Sequence, residues 1–113
     1  MAHGIFEDTV TGDIHDLTDL AEQHGNEISV GRFGNGNLIG LGSPSDERMA
    51  GTVSRKHATI SYIKGFYIRD HSTNGTKVNG TLVRTDVHFL NDSDKLWFGS
   101  YGPVIYRETE VSQ

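Results

Sequence analysis

Three short stretches of this chain carry residue types that could do chemistry. They are Gly31-Arg32, Ser54-Arg55-Lys56-His57, and Ser72-Thr73-Asn74-Gly75 followed by Asn79-Gly80. Between Arg48 and Lys77 six basic residues (Arg48, Arg55, Lys56, Lys64, Arg69, Lys77) face one acid, Asp70. Such a local excess could draw a small anionic ligand. Charge counting alone describes a solvated strand edge better. Taken singly, Arg32 is also a surface arginine beside a glycine turn, Ser54 a turn residue, and the two Asn-Gly pairs hairpin chemistry.

Other chemistries fit less well. Ser54, His57 and Asp70 are the types of a nucleophilic relay. No nucleophile elbow surrounds Ser54, however, and if Ser54 opens a strand the side chain three positions on faces the opposite way. The run Gly34-Asn35-Gly36-Asn37-Leu38-Ile39-Gly40 suggests a nucleotide loop but misses the Gly-x-Gly-x-x-Gly spacing. Gly40, Gly42 and Pro44 leave no room for the helix whose N-terminus would hold a pyrophosphate. The six histidines are scattered without a convincing i, i+4 pair, so no metal site is expected.

The elements that must position these residues read as short strands. Ile28 and Val30 alternate with polar neighbours, as do Ala58, Ile60 and Tyr62, then Phe66 and Ile68. Further runs follow at Leu82-Val83, Val87 to Leu90, Leu96 to Phe98 and Val104 to Tyr106. Turn pairs such as Asn35-Gly36, Lys64-Gly65, Asn74-Gly75 and Asn79-Gly80 punctuate them, supplying the positive φ that tight turns need. This rhythm predicts an all-β sandwich or barrel. One segment, Asp16 to His24, has helical spacing before a possible stop at Gly25; about two turns long, it could not persist alone and stays ambiguous. Gly42 to Thr52 reads as a long polar loop.

Composition bounds the rest. A chain of 113 residues suits one domain and buries enough surface to need neither metal nor disulfide, and it has no cysteine. No signal peptide or apolar span is visible, which sets the expectation of a soluble, intracellular protein, cytoplasmic or nuclear. Residues 1 to 28 hold seven acids and no Lys or Arg; the remainder holds eight acids and ten basic residues, a balance of +2. The basic side chains are dispersed and the net charge is -5, so nucleic acid is not favoured.

In this order, with a strand between each pair, the three stretches resemble the signature of the forkhead-associated (FHA) domain. That signature is Gly-Arg, then Ser-x-x-His, then Asn-Gly and a further Asn. The resemblance runs from about Ile28 to Tyr106 and includes Ser72-Thr73-Asn74-Gly75-Thr76-x-Val78-Asn79-Gly80. It implies an all-β sandwich of two antiparallel sheets with binding loops at one end, and a non-enzymatic module for phosphothreonine-containing segments of partner proteins. Arg32 would fork two phosphate oxygens, with Gly31 letting the backbone turn to aim it, and the Ser54 hydroxyl would donate to a third. By the same resemblance Arg55 adds charge at the rim, and Thr73 and Asn74 contact the bound segment. His57 braces the loops through hydrogen bonds to backbone, Asn79 ties one loop to another, and Gly75 belongs to the loop framework.

The implied unit has an acidic segment, 1-27, contributing the first strand or strands, a core at 28-107 and a tail at 108-113. No cofactor, metal, nucleic acid or membrane is expected, and a monomer is favoured. Competing readings are a phospho-independent scaffold or dimerisation domain on the same fold and, more remotely, a serine hydrolase. The chain departs from the family pattern in its acidic start, in the long 42-52 loop, which could shape flanking-residue preference, and in Ser93-Asp94 where Gly-Asp is usual.

Overall fold

The computed structural model describes residues 2–43, 51–83 and 87–110. Its strands are β1 (Ala2–Asp8), β2 (Ile14–Asp16), β3 (Ile28–Arg32), β4 (Ile39–Leu41), β5 (Ala58–Tyr62), β6 (Phe66–Asp70), β7 (Thr76–Val78), β8 (Thr81–Leu82), β9 (His88–Phe89), β10 (Lys95–Phe98) and β11 (Tyr101–Glu110), with one helix, α1 (Leu17–His24). They form a six-stranded sheet in the order β2-β1-β11-β10-β7-β8 and a five-stranded sheet in the order β4-β3-β5-β6-β9. The sequence alternation is the cause of the layering. Ala58 and Ile60 of β5, and Phe66 and Ile68 of β6, are buried, while Thr59, Ser61, Tyr67 and Arg69 face outward. From the opposite sheet come Phe6, Val78, Leu96, Phe98, Val104 and Tyr106. Edge-on ring contacts close the gap between the layers, with Phe66 and Tyr106 centroids 6.2 Å apart.

The expectation of two antiparallel sheets needs one correction, because β3 and β4 run parallel, Val30 opposite Ile39 and Arg32 opposite Leu41. The six connecting positions, 33–38, reverse the chain twice, which Gly34 and Gly36 permit at φ 77° and 78°. The ambiguous segment resolves as a helix over Leu17–His24, with Asp16 at its N-cap. The Asp16 carboxylate caps it by accepting the Asp19 N–H at 2.9 Å, and Gly25 leaves it at φ 86°. What an isolated two-turn helix lacks comes from packing: Leu17 is fully buried, and the Thr18 hydroxyl accepts the Gly4 N–H at 3.0 Å.

The acidic start is part of the larger sheet. β1 pairs with β11 along its whole length, from Ala2 opposite Glu110 to Asp8 opposite Val104. Asp8 is buried because its carboxylate is fully used, accepting Val10 N–H at 2.9 Å and the Tyr101 hydroxyl at 2.6 Å. Burial, then the neighbouring Asp8 carboxylate, pushes the Tyr101 phenol well above its ordinary range.

Asn79 pins the far end of β7. At φ 52° it takes a left-handed turn conformation, its Nδ2 donates to Asp94 Oδ1 at 2.8 Å, and its Oδ1 accepts the Lys95 N–H at 3.0 Å. Asp94 is buried, so losing that donor leaves a desolvated oxygen short of a partner. Asn79→Gly keeps the backbone conformation and removes only the side-chain bonds, so we expect a loss of about 1–3 kcal/mol in denaturant unfolding. Asn79→Ala should lose more, because alanine resists the positive φ. Equal stability of Asn79→Gly and the parent would mean this pin is not holding β7 to β10.

Candidate functional site

The loops at one end of the sandwich are joined by backbone bonds before any ligand is considered. The Arg32 N–H donates to the Ser54 carbonyl at 3.0 Å, the His57 N–H to Val30 at 2.8 Å, the His71 N–H to the His57 carbonyl at 2.8 Å, and the Gly99 N–H to Gly75 at 2.9 Å. The segments following β3, preceding β5, following β6 and following β10 therefore meet at one place.

His57 is the centre of this meeting. Its side chain is fully buried and packs edge-on against Phe98, centroids 5.4 Å apart. Nδ1 lies 3.0 Å from the Ser54 amide nitrogen, which can only donate; Nε2 lies 3.0 Å from the Gly75 carbonyl oxygen, which can only accept. These partners require a neutral ring carrying its proton on Nε2. Desolvation by burial lowers the His57 pKa below its ordinary 6.5, outweighing the opposing pulls of the Gly75 carbonyl and Asp70.

Asp70, read from sequence only as a possible relay acid, has a different occupation. Its side chain is 2% exposed, and Oδ1 accepts the Ser72 hydroxyl at 2.5 Å and the Thr76 hydroxyl at 2.9 Å, lying 3.9 Å from His57 Nε2. The Ser72 oxygen in turn accepts the Gly75 N–H at 2.7 Å. Residues 70–76 thus staple themselves into a fixed turn, with Gly75 at φ 90°. Ser54 is not positioned as a relay nucleophile: its backbone, not its hydroxyl, meets His57, and its Oγ accepts the Thr73 N–H at 3.2 Å.

On this frame sit the side chains singled out by sequence. The Arg32 guanidinium is half-buried, with Nε donating to the Val53 carbonyl at 3.0 Å and Nη2 to Gly51 at 3.4 Å, so its orientation is set by protein while Nη1 has no partner among the described residues. Ser54 accepts through Oγ, leaving its hydroxyl proton available to donate. Asn74 is exposed, and its Nδ2 donates to the Thr52 carbonyl at 2.9 Å, while its amide oxygen has no partner among the described residues. Thr73 and Arg55 are exposed beside them. Asn79 is not among these groups, since its partners lie at Asp94 and Lys95.

One reading changes. Gly31 serves close approach rather than a turn, for a Cβ there would stand 2.2 Å from the Arg55 carbonyl oxygen and 2.6 Å from Asn37 Nδ2. The six cations do not form one patch. Arg55 and Lys56 adjoin the loops, Arg69 faces out from β6, Lys77 lies on the other sheet, Lys64 is in the β5–β6 turn, and Arg48 falls outside the described residues, as does most of the 42–52 loop. Sequence reasoning missed Asn37, whose Nδ2 donates to the Arg55 carbonyl at 2.6 Å, and Thr52, whose hydroxyl accepts the Ser100 N–H at 2.8 Å. Asn37 stood in the run read only against a nucleotide loop; nothing local marked Thr52.

A family model described as FHA domain matches residues 28–99. No curated protein sequence matches the chain. Among solved structures, an FHA domain studied for phosphothreonine-dependent interactions is 25% identical, covers 96% of this chain and 99% of its own, and superposes with a TM-score of 0.74. The FhaA FHA domain, complexed with the intracellular domain of another protein, is 25% identical over 95% of this chain and 100% of its own, with a TM-score of 0.69. Mycobacterium tuberculosis EmbR, in complex with a low-affinity phosphopeptide, is 23% identical over all of this chain and 26% of its own, with a TM-score of 0.72. The matched span takes in β3 to β10 and the loops gathered around His57, and the chain belongs to the FHA domain family.

Proposed function

We propose that this chain is a phosphothreonine-binding module rather than an enzyme, and that Arg32, Ser54, Arg55, Thr73 and Asn74 make its ligand surface. One observation carries the reading: Arg32, Ser54 and Asn74 are each held by protein at the same loop junction, while Arg32 Nη1, the Ser54 hydroxyl proton and the Asn74 amide oxygen have no partner among the described residues. A phosphothreonine brings about -1.5 to -2 charges and three acceptor oxygens, so fixed donors matter more than an enclosed cavity. The FHA domains of similar structure that engage phosphothreonine ligands or a partner's intracellular domain support the same reading. His57, with both ring nitrogens committed to backbone, is free for neither acid nor base work, which favours binding over hydrolysis. Gly31, His57 and Gly75 serve the loops, whereas Asn79 serves the sheet.

Phosphothreonine peptides should bind with micromolar affinity, about -8 kcal/mol, and their dephosphorylated forms should show no measurable binding by calorimetry. The phosphoserine version should bind at least several-fold more weakly, since burying a methyl group is worth about 0.8 kcal/mol or more. Equal affinity of phosphorylated and unphosphorylated peptides would favour a phospho-independent scaffold instead.

Arg32→Ala should weaken phosphopeptide binding by about ten- to a hundredfold, the loss of a charge-assisted contact of roughly 1.5–3 kcal/mol. Because Arg32 also holds the Val53 carbonyl, we expect a Tm drop of a few degrees with it. His57→Ala should lower Tm further, leaving two backbone groups without partners at about 1–3 kcal/mol each. Normal binding by Arg32→Ala would remove it from the phosphate site.

The stability His57 provides should depend on pH in one direction. Unfolded, its ring takes up a proton near 6.5; folded, burial holds off protonation until lower pH, so over that window the unfolded chain binds more protons and stability falls as pH falls. The stability gap between the parent and His57→Gln, measured by chemical unfolding, should therefore narrow from pH 7 to pH 5. A gap that widened on acidification would mean the folded ring is stabilised in its charged form.

A further inference from the structure

The outward face of the five-stranded sheet carries a groove in two joined parts. The upper part, about 390 Å³, lies between Asn35 and Asn37 of the β3–β4 connection and Lys56 with His71. The lower part, about 250 Å³, continues between Ser61, Tyr67 and Arg69. Glu27, Thr59 and His71 line both, so the two are continuous. The floor is a consequence of strand alternation, made by the outward residues of β5 and β6 whose neighbours fill the core.

This groove opens from the ligand loops. Lys56 follows Arg55, His71 precedes Ser72, and Asn37 holds the Arg55 carbonyl at 2.6 Å. Its charge is also unspent. Lys56 and Arg69 are exposed and in no ion pair among the described residues, and Glu27 is the single acid of the lining, a balance of +1 with His71 neutral. Around them stand hydroxyls suited to a polar main chain: Ser61, and Ser29 and Thr59, which keep further hydrogen-bonding capacity beside their bonds to the Leu38 N–H and to His71 Nε2.

Resting on the phosphopeptide reading, we propose that this groove is a second part of the site, receiving an acidic stretch of the same partner chain as it leaves the phosphothreonine. At about 3.3 Å per residue, the path from Lys56, just before β5, to Ser61 within it is spanned by roughly five extended residues. The two cations are spaced along that path, Lys56 beside the loops and Arg69 opposite Thr59, so acidic side chains near the start and near the middle of the stretch find a partner. Exposed ion pairs are individually weak, but a stretch already tethered by its phosphothreonine adds them without a second encounter.

Calorimetric titrations at low salt test this with a phosphothreonine heptapeptide selected from an oriented library. The heptapeptide is compared with versions extended at either end by Glu-Ala-Glu-Ala-Glu or Gln-Ala-Gln-Ala-Gln. One acidic extension should tighten binding about three- to tenfold over its Gln counterpart, and 0.5 M salt should remove the gain. Arg69→Glu should abolish that gain and Glu27→Lys should enlarge it, with affinity for the bare heptapeptide unchanged in both. No gain from either acidic extension, or a gain that survives Arg69→Glu, overturns the proposal. A bare heptapeptide that fails to bind, or binds equally without phosphate, overturns the phosphopeptide reading itself and this proposal with it.

Discussion

The structure of the ligand end depends on a buried imidazole that must stay neutral. His57 reaches across two loops to accept from the Ser54 amide and donate to the Gly75 carbonyl, and no other ionic or tautomeric form satisfies both. Its burial against Phe98 makes those bonds hard to replace by water, and the same burial disfavours the charged ring. One side chain thus fixes the separation of the loop bearing Ser54 from the loop bearing Asn74. It also links both to the opposite sheet through the aromatic contact with β10.

Around this link each remaining contact has a narrow task. The Asp70 carboxylate gathers the Ser72 and Thr76 hydroxyls so that the 70–76 turn holds its own shape, and Gly75 supplies the positive φ that lets its carbonyl meet His57. Gly31 allows β3 to pass within van der Waals reach of the Arg55 backbone, which any side chain there would prevent. Arg32 then leaves the end of β3 with its guanidinium already held by the Val53 carbonyl. Arg32, Ser54 and Asn74, the proposed ligand groups, are each already held by protein contacts, so little of their conformational entropy would be lost on binding.

Much of this was legible in the sequence, for reasons that differ by element. β5 and β6 were plain because alternation is local, and Asn74-Gly75 and Asn79-Gly80 marked turns because few residues tolerate positive φ. The bracing role of His57, and Arg32, Ser54 and Asn74 as proposed ligand groups, came from the joint order of motifs; no one of them announced a site. The helix α1 stayed ambiguous because its support is the distant packing of Leu17 and the Thr18–Gly4 bond, which no window of sequence contains. β1 was expected only as a first strand somewhere within 1-27, because its acids blur the alternation; Asp8 is buried through partners as remote as Tyr101. The parallel pairing of β3 with β4, and the parts played by Asn37 and Thr52, are tertiary facts without a local pattern. The run of cations, better described from sequence as a solvated strand edge, is dispersed by the fold, since Arg69 on β6 and Lys77 on β7, though near in sequence, lie on different sheets.

The most direct measurement of this account is the nitrogen NMR signature of the His57 ring in the free protein at neutral pH. The account predicts a bare Nδ1 accepting from Ser54 and a protonated Nε2 donating to Gly75, with no imidazolium present. A proton on Nδ1, or a charged ring at pH 7, would contradict it, because neither form can hold the two loops as the structure has them.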